Sequence, residues 1–559
     1  MSCNSRVSFG LPFIAVLVFA ASAGAQSFRV QCPASTITHP DPSNTGVNNT
    51  EPQYMGPATL SLDPTGQYLK PVGTGNGAIK CQQISGGDGY ATMADGTQTY
   101  MFSFGPLSGL ADIAAGKPGT EPPSVFNTTY ASTIGNTDPP ALMPGDPATT
   151  ANSGKAFSYN GAVGLAVDSD CVSENAAAKA TGAPLPCPYT PTSGVDGHVD
   201  PRPIMDVGVM NGNIPAPLMA LDEDDEFFLT LTNVGMIMRP DLFEQHTVHF
   251  HGYPNAASFY DGVPDASVAI NIGGSFTYYY LAPDAGTYFW HCHITPPEHL
   301  QMGMVGQIYV RPRQDRVPSS LTLYKALKAQ QNDLRTACNP ESDILCTNPL
   351  PAAGDNGTAG TFANGTPGKL YAYNDGDGST QYDVEYPIQI HGFDPNFHFV
   401  GMTFNPEGFV DMKDKYFLLN GRSYPDTVTG GPMQTQSADG QSHFSQPLSS
   451  IINIPAGGRA LLRISDLDVT EYQTLASLGI PMTVIGQNAK LLRDQEGHNM
   501  YYQTNSITLG GGESIDVILD ASDSKYKSGS VFYLYTSNLD HLANDAENFG
   551  GLMTEVRIN

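Results

Sequence analysis

Two series of short segments that favour β-strands constrain the fold of this chain most strongly. One series spans residues 204–310 and the other residues 386–559, and both are rich in β-branched and aromatic residues between turn residues. Many short strands at this spacing are typical of β-sandwiches or barrels. We therefore predict an all-β fold with two such domains. The strand candidates are Thr99–Phe104, Ile204–Met210, Phe227–Thr232, Thr247–Phe250, Ser275–Leu281, Thr287–His293, Gln307–Val310, Tyr416–Leu419, Arg459–Ile464, Met482–Ile485, Ser514–Leu519 and Val531–Tyr535.

Two long stretches without strand-like alternation divide the chain. Residues 107–200 are polar and rich in Pro, and residues 313–380 resemble a linker with one short helical candidate at Ser319–Ala337. Loops of such length are usually functional or poorly ordered. We predict four segments, namely a leader over 1–25, a first domain over 26–312 with an insertion at about 107–200, a linker over 313–380 and a second domain over 381–559.

The charge balance excludes some functions. The chain has 54 acidic and 26 basic residues, a formal net charge of −28, and nucleic-acid binding needs clustered Lys and Arg instead. Charged residues make up only 14% of the chain, and 59 Gly and 44 Pro argue against a helical protein. The negative surface would favour cationic partners or substrates, or would serve solubility alone. The acidic run at residues 222–226 is expected to be a solvated turn.

The N-terminus has the pattern of a secretory signal peptide. Arg6 precedes an apolar run from Phe9 to Ala21, and the small residues Ala23 to Ala25 offer a cleavage site. That run is too short to span a membrane, and no later stretch reaches about 20 apolar residues. We predict a secreted or periplasmic protein without a membrane span.

The cysteines fit an oxidising compartment. Seven of the eight remain once the leader with Cys3 is removed, and an odd number leaves one thiol unpaired. Proximity along the chain predicts the disulfide bonds Cys32–Cys81, Cys171–Cys187 and Cys338–Cys346. The surroundings of Cys292 mark it as the unpaired cysteine.

Six of the 13 histidines fall within residues 246–299. Successive side chains of a strand point to opposite faces, so Cys292 faces away from its two histidine neighbours, and His246 faces away from the histidines that follow it. One set of candidate ligands is therefore His246 and Cys292, which the next loop can complete with His299 and Met304. The other set is His249, His251, His291 and His293.

The first set matches the ligands of a blue copper site, which are two imidazoles, a thiolate and a weak axial thioether. The all-imidazole set suits a second kind of copper site, and the triplet around Cys292 would connect the two sites through backbone. A structural zinc site would favour paired cysteines, and a catalytic thiol between two strand histidines would be unusual. The residues thus predict copper as the cofactor.

At this point the chain resembles the multicopper oxidase family within the cupredoxin superfamily. The pattern H-x-x-H-x-H, followed by H-C-H and a later H-x(4)-M, carries the likeness, together with Gly212–Pro217, His251–Gly262 and Ala285–His291. Asn420–Pro425 resembles the start of a further family domain. The resemblance implies two cupredoxin-like Greek-key β-sandwich domains with long loop insertions. It also implies blue copper at His246, Cys292, His299 and Met304, with dioxygen reduced to water at a cluster that His249, His251, His291 and His293 help to hold.

The likeness is incomplete in the second domain. The family's oxygen-reducing cluster takes eight histidines as four H-x-H pairs, whereas Pro481–Gly486 resembles the family motif P-M-H-L-H-G with both histidines replaced. Two-domain relatives, including copper nitrite reductases, are trimers that complete the second site between subunits, so a homotrimer is one arrangement that the resemblance suggests. Three isolated histidines of the second domain each allow two interpretations. His541 is either a ligand that faces a neighbouring subunit or a solvent-exposed loop residue. His391 and His398 are either metal ligands or local hydrogen-bond donors.

These observations predict a copper-dependent oxidoreductase. It would take electrons from a small donor, a metal ion or a phenol, at the blue copper with His299 as the exposed ligand, and pass them through Cys292 to dioxygen at the histidine-rich site. Two alternatives remain open, namely a nitrite-reductase-like enzyme and a non-enzymatic copper protein for electron transfer or storage. Asn374–Gly378 could bind calcium but is expected to be a plain turn.

Overall fold

The structure is a computed structural model that describes residues 30–127, 180–181, 213–318 and 370–559, with gaps inside these ranges of which the longest is 40–51. The leader, most of the 107–200 insertion and most of the linker lie outside the described residues. The strand candidate Ile204–Met210, the helical candidate Ser319–Ala337 and the pairs Cys171–Cys187 and Cys338–Cys346 lie there as well. Within the described ranges, no helix has the length and apolar character needed to cross a membrane.

The first sandwich consists of two four-stranded sheets that enclose a core of aromatic and aliphatic side chains. One sheet has the strand order β4-β3-β6-β8 and the other β5-β10-β9-β7. The indole of Trp290 stacks on Phe104 from the opposite sheet at 5.6 Å between ring centroids. The elements up to residue 318 are β1 Leu60–Leu62, β2 Leu69–Pro71, β3 Ile79–Thr92, β4 Gln98–Pro106, α1 Pro123–Phe126, β5 Met219–Asp222, β6 Glu226–Gly235, β7 His249–Phe250, β8 Ser275–Leu281, β9 Gly286–His291, α2 Pro296–Gln301 and β10 Val305–Arg311, with 3-10 turns at Ser258–Tyr260 and Arg313–Arg316.

The second sandwich pairs a seven-stranded sheet with a five-stranded one around an aliphatic core. Its elements are β11 Leu370–Tyr371, β12 Gln381–Tyr382, β13 Val384–Phe393, α3 Pro395–Gly401, β14 Tyr416–Leu419, β15 Met433–Gln436, β16 Ser442–Ser445, β17 Ile452–Ile454, β18 Arg459–Asp466, β19 Gln473–Leu478, β20 Met482–Gln487, β21 Lys490–Leu491, β22 Tyr502–Thr504, β23 Ser506–Leu509, β24 Ser514–Asp520, β25 Val531–Tyr535 and β26 Met553–Ile558, with 3-10 turns at Phe409–Asp411, Asp426–Val428 and Leu539–His541. The prediction of an all-β fold built on two sandwiches is confirmed.

The two sandwiches share one strand arrangement. The order β4-β3-β6-β8 corresponds to β14-β13-β18-β24, and β5-β10-β9-β7 corresponds to β17-β26-β25-β19. The parallel pairs also correspond, since β3 with β6 and β5 with β10 match β13 with β18 and β17 with β26. By this topology the counterpart of β7 is β19 and not β20. Pro481–Gly486, the segment that resembles the family motif P-M-H-L-H-G, lies in and before β20 and therefore does not occupy the position that corresponds to β7.

Strand β3 is the longest of the elements that the sequence did not predict. It is the longest strand of the first sandwich and is almost entirely buried, but Gly86, Gly87 and Gly89 and many polar residues hide its strand character, because glycine is depleted in strands. Gly86 has a specific reason to lack a side chain. A Cβ atom there would lie 2.4 Å from Cδ2 of His246.

The acidic run at residues 222–226 is buried, so the prediction of a solvated turn was wrong. Its carboxylates pair with residues that are distant along the chain. Asp224 forms ion pairs with the buried Arg313, and Glu226 accepts a hydrogen bond from His39 at 2.9 Å. Burial of charge is tolerated because each of these carboxylates is paired and hydrogen-bonded.

The described cysteines follow the prediction. Cys32 and Cys81 form a disulfide bond, and Cys292 is free and buried.

The two sandwiches pack against each other through β9 of the first and β18 and β24 of the second. Thr287 donates to Asp516 Oδ1 at 2.6 Å, and Ser514 donates to the carbonyl of Thr287 at 2.6 Å. This contact brings the end of β9, where His291 lies, next to loops of the second sandwich.

Candidate metal centre

Cys292 lies just after β9 and is the centre of the first candidate site. His246, Cys292 and His299 are buried, and their ligand atoms all lie within 4.8 Å of one another. Nδ1 of His299 is 3.3 Å from the Cys292 sulfur, to which the backbone N–H of Thr247 also donates at 3.4 Å. Three elements supply the group, because His246 precedes β7, Cys292 follows β9 and His299 lies in α2.

His246 lacks the partners that a buried imidazole normally needs. Neither of its ring nitrogens has a hydrogen-bond partner within the described ranges, although buried polar groups are nearly always satisfied. Burial lowers the pKa of His246 well below its usual value, which keeps the ring neutral and able to donate a lone pair. A metal ion between His246 and Cys292 would remove this deficit, so the residues fit a bound metal.

The charge on the cysteine affects the other histidine. Burial alone would lower the pKa of His299, but the charge of Cys292, its hydrogen bond and Glu244 together raise that pKa to about 9. The pocket therefore favours a positive charge beside the sulfur. A cationic metal would supply that charge in place of the imidazolium proton.

Met304 is the fourth ligand that the sequence predicted for this site. It is fully buried in the same core cluster as Cys292. Its N–H donates to the carbonyl of His299 at 2.9 Å, and its carbonyl accepts from the N–H of Cys292 at 3.0 Å. The backbone thus holds Met304 between the other two ligands of the loop.

The second candidate site contains the four remaining histidines of the cluster. The ligand atoms of His249, His251 and His291 lie within 4.8 Å of one another, and Nε2 of His251 is 2.9 Å from Nε2 of His291. The ring of His293 is 5.2 Å from that of His249 and 5.5 Å from that of His291. The structure therefore brings together both ligand sets in the grouping that strand alternation predicted.

Hydrogen bonds orient these imidazoles. Nδ1 of His249 lies 2.7 Å from the carbonyl of Asp261, and Nδ1 of His291 lies 2.7 Å from the carbonyl of Cys292. Each bond fixes the tautomer and leaves Nε2 as the lone-pair donor. Burial lowers the pKa of His291 well below its usual value and, with neighbouring histidines, that of His251 to about 4.

A cleft of about 650 Å³ opens onto the second site. His251 and His291 line one wall, and loops of the second sandwich line the other with Asp468, Glu471 and Glu513. Among the described residues, the loops of the second sandwich that line this cleft present carboxylates and no histidine.

Two findings near His299 differ from the sequence-based expectation. His299 was expected to be the exposed ligand, yet its side chain is only 1% accessible, because α2 is covered on both sides. The carboxylate of Glu244, 35% accessible, lies 3.7 Å from Nε2 of His299 and connects it to the surface. No motif pointed to Glu244, since a single glutamate before a strand carries no sequence signal.

The isolated histidines of the second sandwich have local partners. His541 stacks on Phe417 at 3.8 Å and bonds through Nδ1 to Gln473 at 2.9 Å, and it is buried rather than solvent-exposed. His391 and His398 both bond to Gln301.

Asp375, the first carboxylate of the calcium candidate, is buried. It accepts hydrogen bonds from Gln314, Gly378 and Thr380, as in a plain turn.

Known proteins resemble the part of the chain that holds these sites. Residues 196–315 match the family described as multicopper oxidase. Multicopper oxidase MCE of Talaromyces pinophilus is 32% identical over 146 residues, 25% of this chain and 22% of that protein. Laccase abr2 of Aspergillus fumigatus is 34% identical over 109 residues, 19% and 17% of the two chains. The copper-containing nitrite reductase of Rhizobium meliloti is 32% identical over 131 residues, 22% and 31% of the two chains.

Among solved structures, the blue copper oxidase of Nitrosomonas europaea aligns over 62% of this chain and 78% of that chain, at 20% identity and a TM-score of 0.40. The sequence alignments span less than a third of the length of the three relatives named above. The match of residues 196–315 to the multicopper oxidase family confirms, over this part of the chain, the resemblance that the histidine and cysteine motifs indicated.

Proposed function

We propose that the protein is a copper-dependent oxidoreductase that takes electrons from a small donor at the Cys292 site and delivers them to dioxygen at the His249/His251/His291/His293 site. The observation that carries this proposal is the presence of two ligand groups of different chemistry, one containing a thiolate and one all imidazole, that meet at Cys292. Copper bound in these groups would supply one-electron redox chemistry. The remaining roles belong to the side chains.

Cys292 has the position needed to connect the two groups. Its sulfur lies between His246 and His299, while its chain neighbours His291 and His293 belong to the other group. The carbonyl of Cys292 also bonds to Nδ1 of His291. A covalent path and a hydrogen-bonded path thus run from the sulfur to the second site.

Glu244 favours a donor that is a cation or a hydrogen-bond donor. It offers a partly exposed carboxylate to the buried His299. Glu298, the residue before His299 in helix α2, is a second acidic residue nearby. The net charge of −28 would draw cations toward the surface. A reducing metal ion would suit the acidic surface beside His299, and a phenol could donate its O–H to the carboxylate of Glu244.

The second site determines which reaction takes place. This chain brings four histidines together and offers carboxylates across the cleft, so a neighbouring subunit of a homotrimer would have to supply further ligands for a larger cluster. A nitrite-reductase-like site with one copper is the second candidate, which the alignment with a copper-containing nitrite reductase supports. An electron carrier with copper at Cys292 alone is the non-enzymatic alternative.

A secreted or periplasmic location accords with the Cys32–Cys81 disulfide bond, because such bonds persist in oxidising compartments.

Copper counting and colour test the proposal. Wild-type protein loaded with copper should show an intense visible band that Cys292→Ser abolishes, while Thr554→Val, a buried change in the second sandwich, should keep it. Four coppers per chain would support an oxygen-reducing cluster shared between subunits, two a single-copper second site, and one the electron carrier. Colour that survives Cys292→Ser would contradict the assignment of the first site, and a lack of oxygen uptake with every donor would contradict the oxidase.

A further inference from the structure

Helix α2 carries a ligand on one side and a contact to the second sandwich on the other. His299 and Gln301 are two residues apart, so on a helix their side chains point about 200° apart. His299 faces Cys292, whereas Gln301 is fully buried against the second sandwich. Leu300, between them, packs with Leu467 of that sandwich.

Every polar group of the Gln301 side chain is bonded to the second sandwich. The N–H of Asp394 donates to Oε1 at 3.1 Å, which fixes the orientation of the amide. Nε2–H of His398 donates to the same oxygen at 2.9 Å, and the Gln301 amide donates to Asp414. His391 adds a fourth bond, from its Nε2–H to the Gln301 carbonyl at 3.0 Å.

The partners of Gln301 are themselves held in place. The ring of His398 stacks on Phe393 at 5.2 Å, and burial lowers its pKa to about 3, so the ring stays neutral. Asp414 also accepts from Thr470 and shares a contact with Asp468. The four partners of Gln301 come from β13, from α3 and from the residues just before α3 and β14, and we call this group the α2 socket.

We infer that Gln301 is a positioning residue, through which the second sandwich fixes helix α2 and thereby the orientation of His299 toward Cys292. This inference rests on the proposed copper site at Cys292. It gives His391 and His398 a role in that site although neither touches the metal ligands. The orientation of a ligand affects the properties of the metal that it binds, and so do the groups that hold the ligand in place.

Two disruptive variants test the inference, and one of them has a conservative counterpart. Gln301→Leu keeps the approximate volume and removes the side-chain bonds, whereas Asp414→Leu removes one acceptor and Asp414→Asn preserves it. Thr554→Val, which removes a buried hydrogen bond to Ser450 elsewhere in the second sandwich, is the control for a general loss of stability.

In copper-loaded protein, Gln301→Leu and Asp414→Leu should bind copper at Cys292 but shift its reduction potential, its visible band and its EPR hyperfine splitting. Asp414→Asn should restore the wild-type spectrum, and Thr554→Val should not change it. A lower melting temperature with an unchanged spectrum and potential in Gln301→Leu would overturn the inference.

A metal-free measurement separates this inference from the proposed function. Amide hydrogen exchange of residues 296–304 should become faster in metal-free Gln301→Leu and stay at the wild-type rate in Thr554→Val. If wild-type protein shows no blue band, the copper assignment fails, while the exchange data still report whether Gln301 holds the helix. Unchanged exchange at 296–304 would overturn the positioning role with or without copper.

Discussion

Cys292 and its two chain neighbours belong to different candidate ligand groups. Its neighbours point to one face of the strand end and its thiol to the other, so one tripeptide contributes to two ligand groups. Strand alternation made this grouping predictable from the sequence. The surroundings of the ligands were not predictable, since Gly86 is distant from them in sequence and neither Gly86 nor Glu244 belongs to a motif.

Replacing Gly86 with Ala should disturb the first site specifically. The new Cβ atom would lie 2.4 Å from Cδ2 of His246 and would force the imidazole away from Cys292. We expect the intense visible band to weaken or vanish, while the copper bound by the histidine group is kept. Absorbance and copper per chain measure this. Gly430→Ala is the control, because a Cβ there meets no atom within 4 Å, and equal spectra for the two variants would argue against the role of Gly86.

His251→Gln should affect the second site alone. His251 contributes Nε2 beside that of His291 and lines the cleft, and it belongs to a different candidate ligand group from the Cys292 sulfur. We expect less copper per chain and oxygen uptake reduced at least tenfold, with the visible band retained. His498→Gln, at an exposed histidine paired with Asp494, should leave all three quantities unchanged. Loss of the blue band in His251→Gln would show that the two groups are not separable.

Helix α2 and the loops that face it show how an element joins the two sandwiches. The sequence predicted many strands of both sandwiches but not the bonds from Gln301 to the second one, because hydrogen bonds across an interface leave no periodic pattern. The same holds for β3, where glycines and polar residues obscure a strand that is buried on both faces. Periodicity reports which face of an element is apolar, and it fails where buried polar contacts replace apolar packing.

The titration of the Asp414 carboxyl in the α2 socket makes the stability of the protein depend on pH. Burial and the neighbouring Asp468 raise the pKa of Asp414 to about 8, compared with about 3.9 in an unfolded chain. Between these values the folded protein binds more protons than the unfolded one, so the free energy of unfolding contributed by Asp414 falls as the pH rises from about 4 to about 8. Asp414→Asn removes this titration. The melting temperature of wild type should therefore drop more between pH 5 and pH 8 than that of the variant, and parallel curves would contradict the raised pKa.

Across the whole molecule, a largely buried charge cluster connects the two sandwiches. Glu385 of β13 pairs with Arg463 of β18 at 3.0 Å and with Arg311 of β10 in the other sandwich. Burial alone would raise the pKa of Glu385, but the two guanidinium groups outweigh it and lower that pKa to about 2. Its stabilising contribution is therefore complete above about pH 4.5 and is lost as the pH falls toward 2.

Glu385→Gln should destabilise the protein by about 3–5 kcal/mol, because it removes the anion that pairs with the buried Arg463 and the largely buried Arg311. Denaturant unfolding at pH 7 measures this change. Asp523→Asn, at an exposed pair with Lys525, should leave the unfolding curve unchanged. If the two variants unfold alike, the cluster does not hold the sandwiches together.

Gly86 has a practical consequence for anyone who wishes to graft this centre onto another protein. Transplanting the histidines, the cysteine and the methionine into a foreign sandwich would copy the donor atoms and omit the empty space that admits His246. That space is provided by the facing sheet, far from the ligand loops in sequence. A successful graft would need a bare backbone position on the opposite sheet, and a search for relatives with a working site should examine that position as well as the ligands.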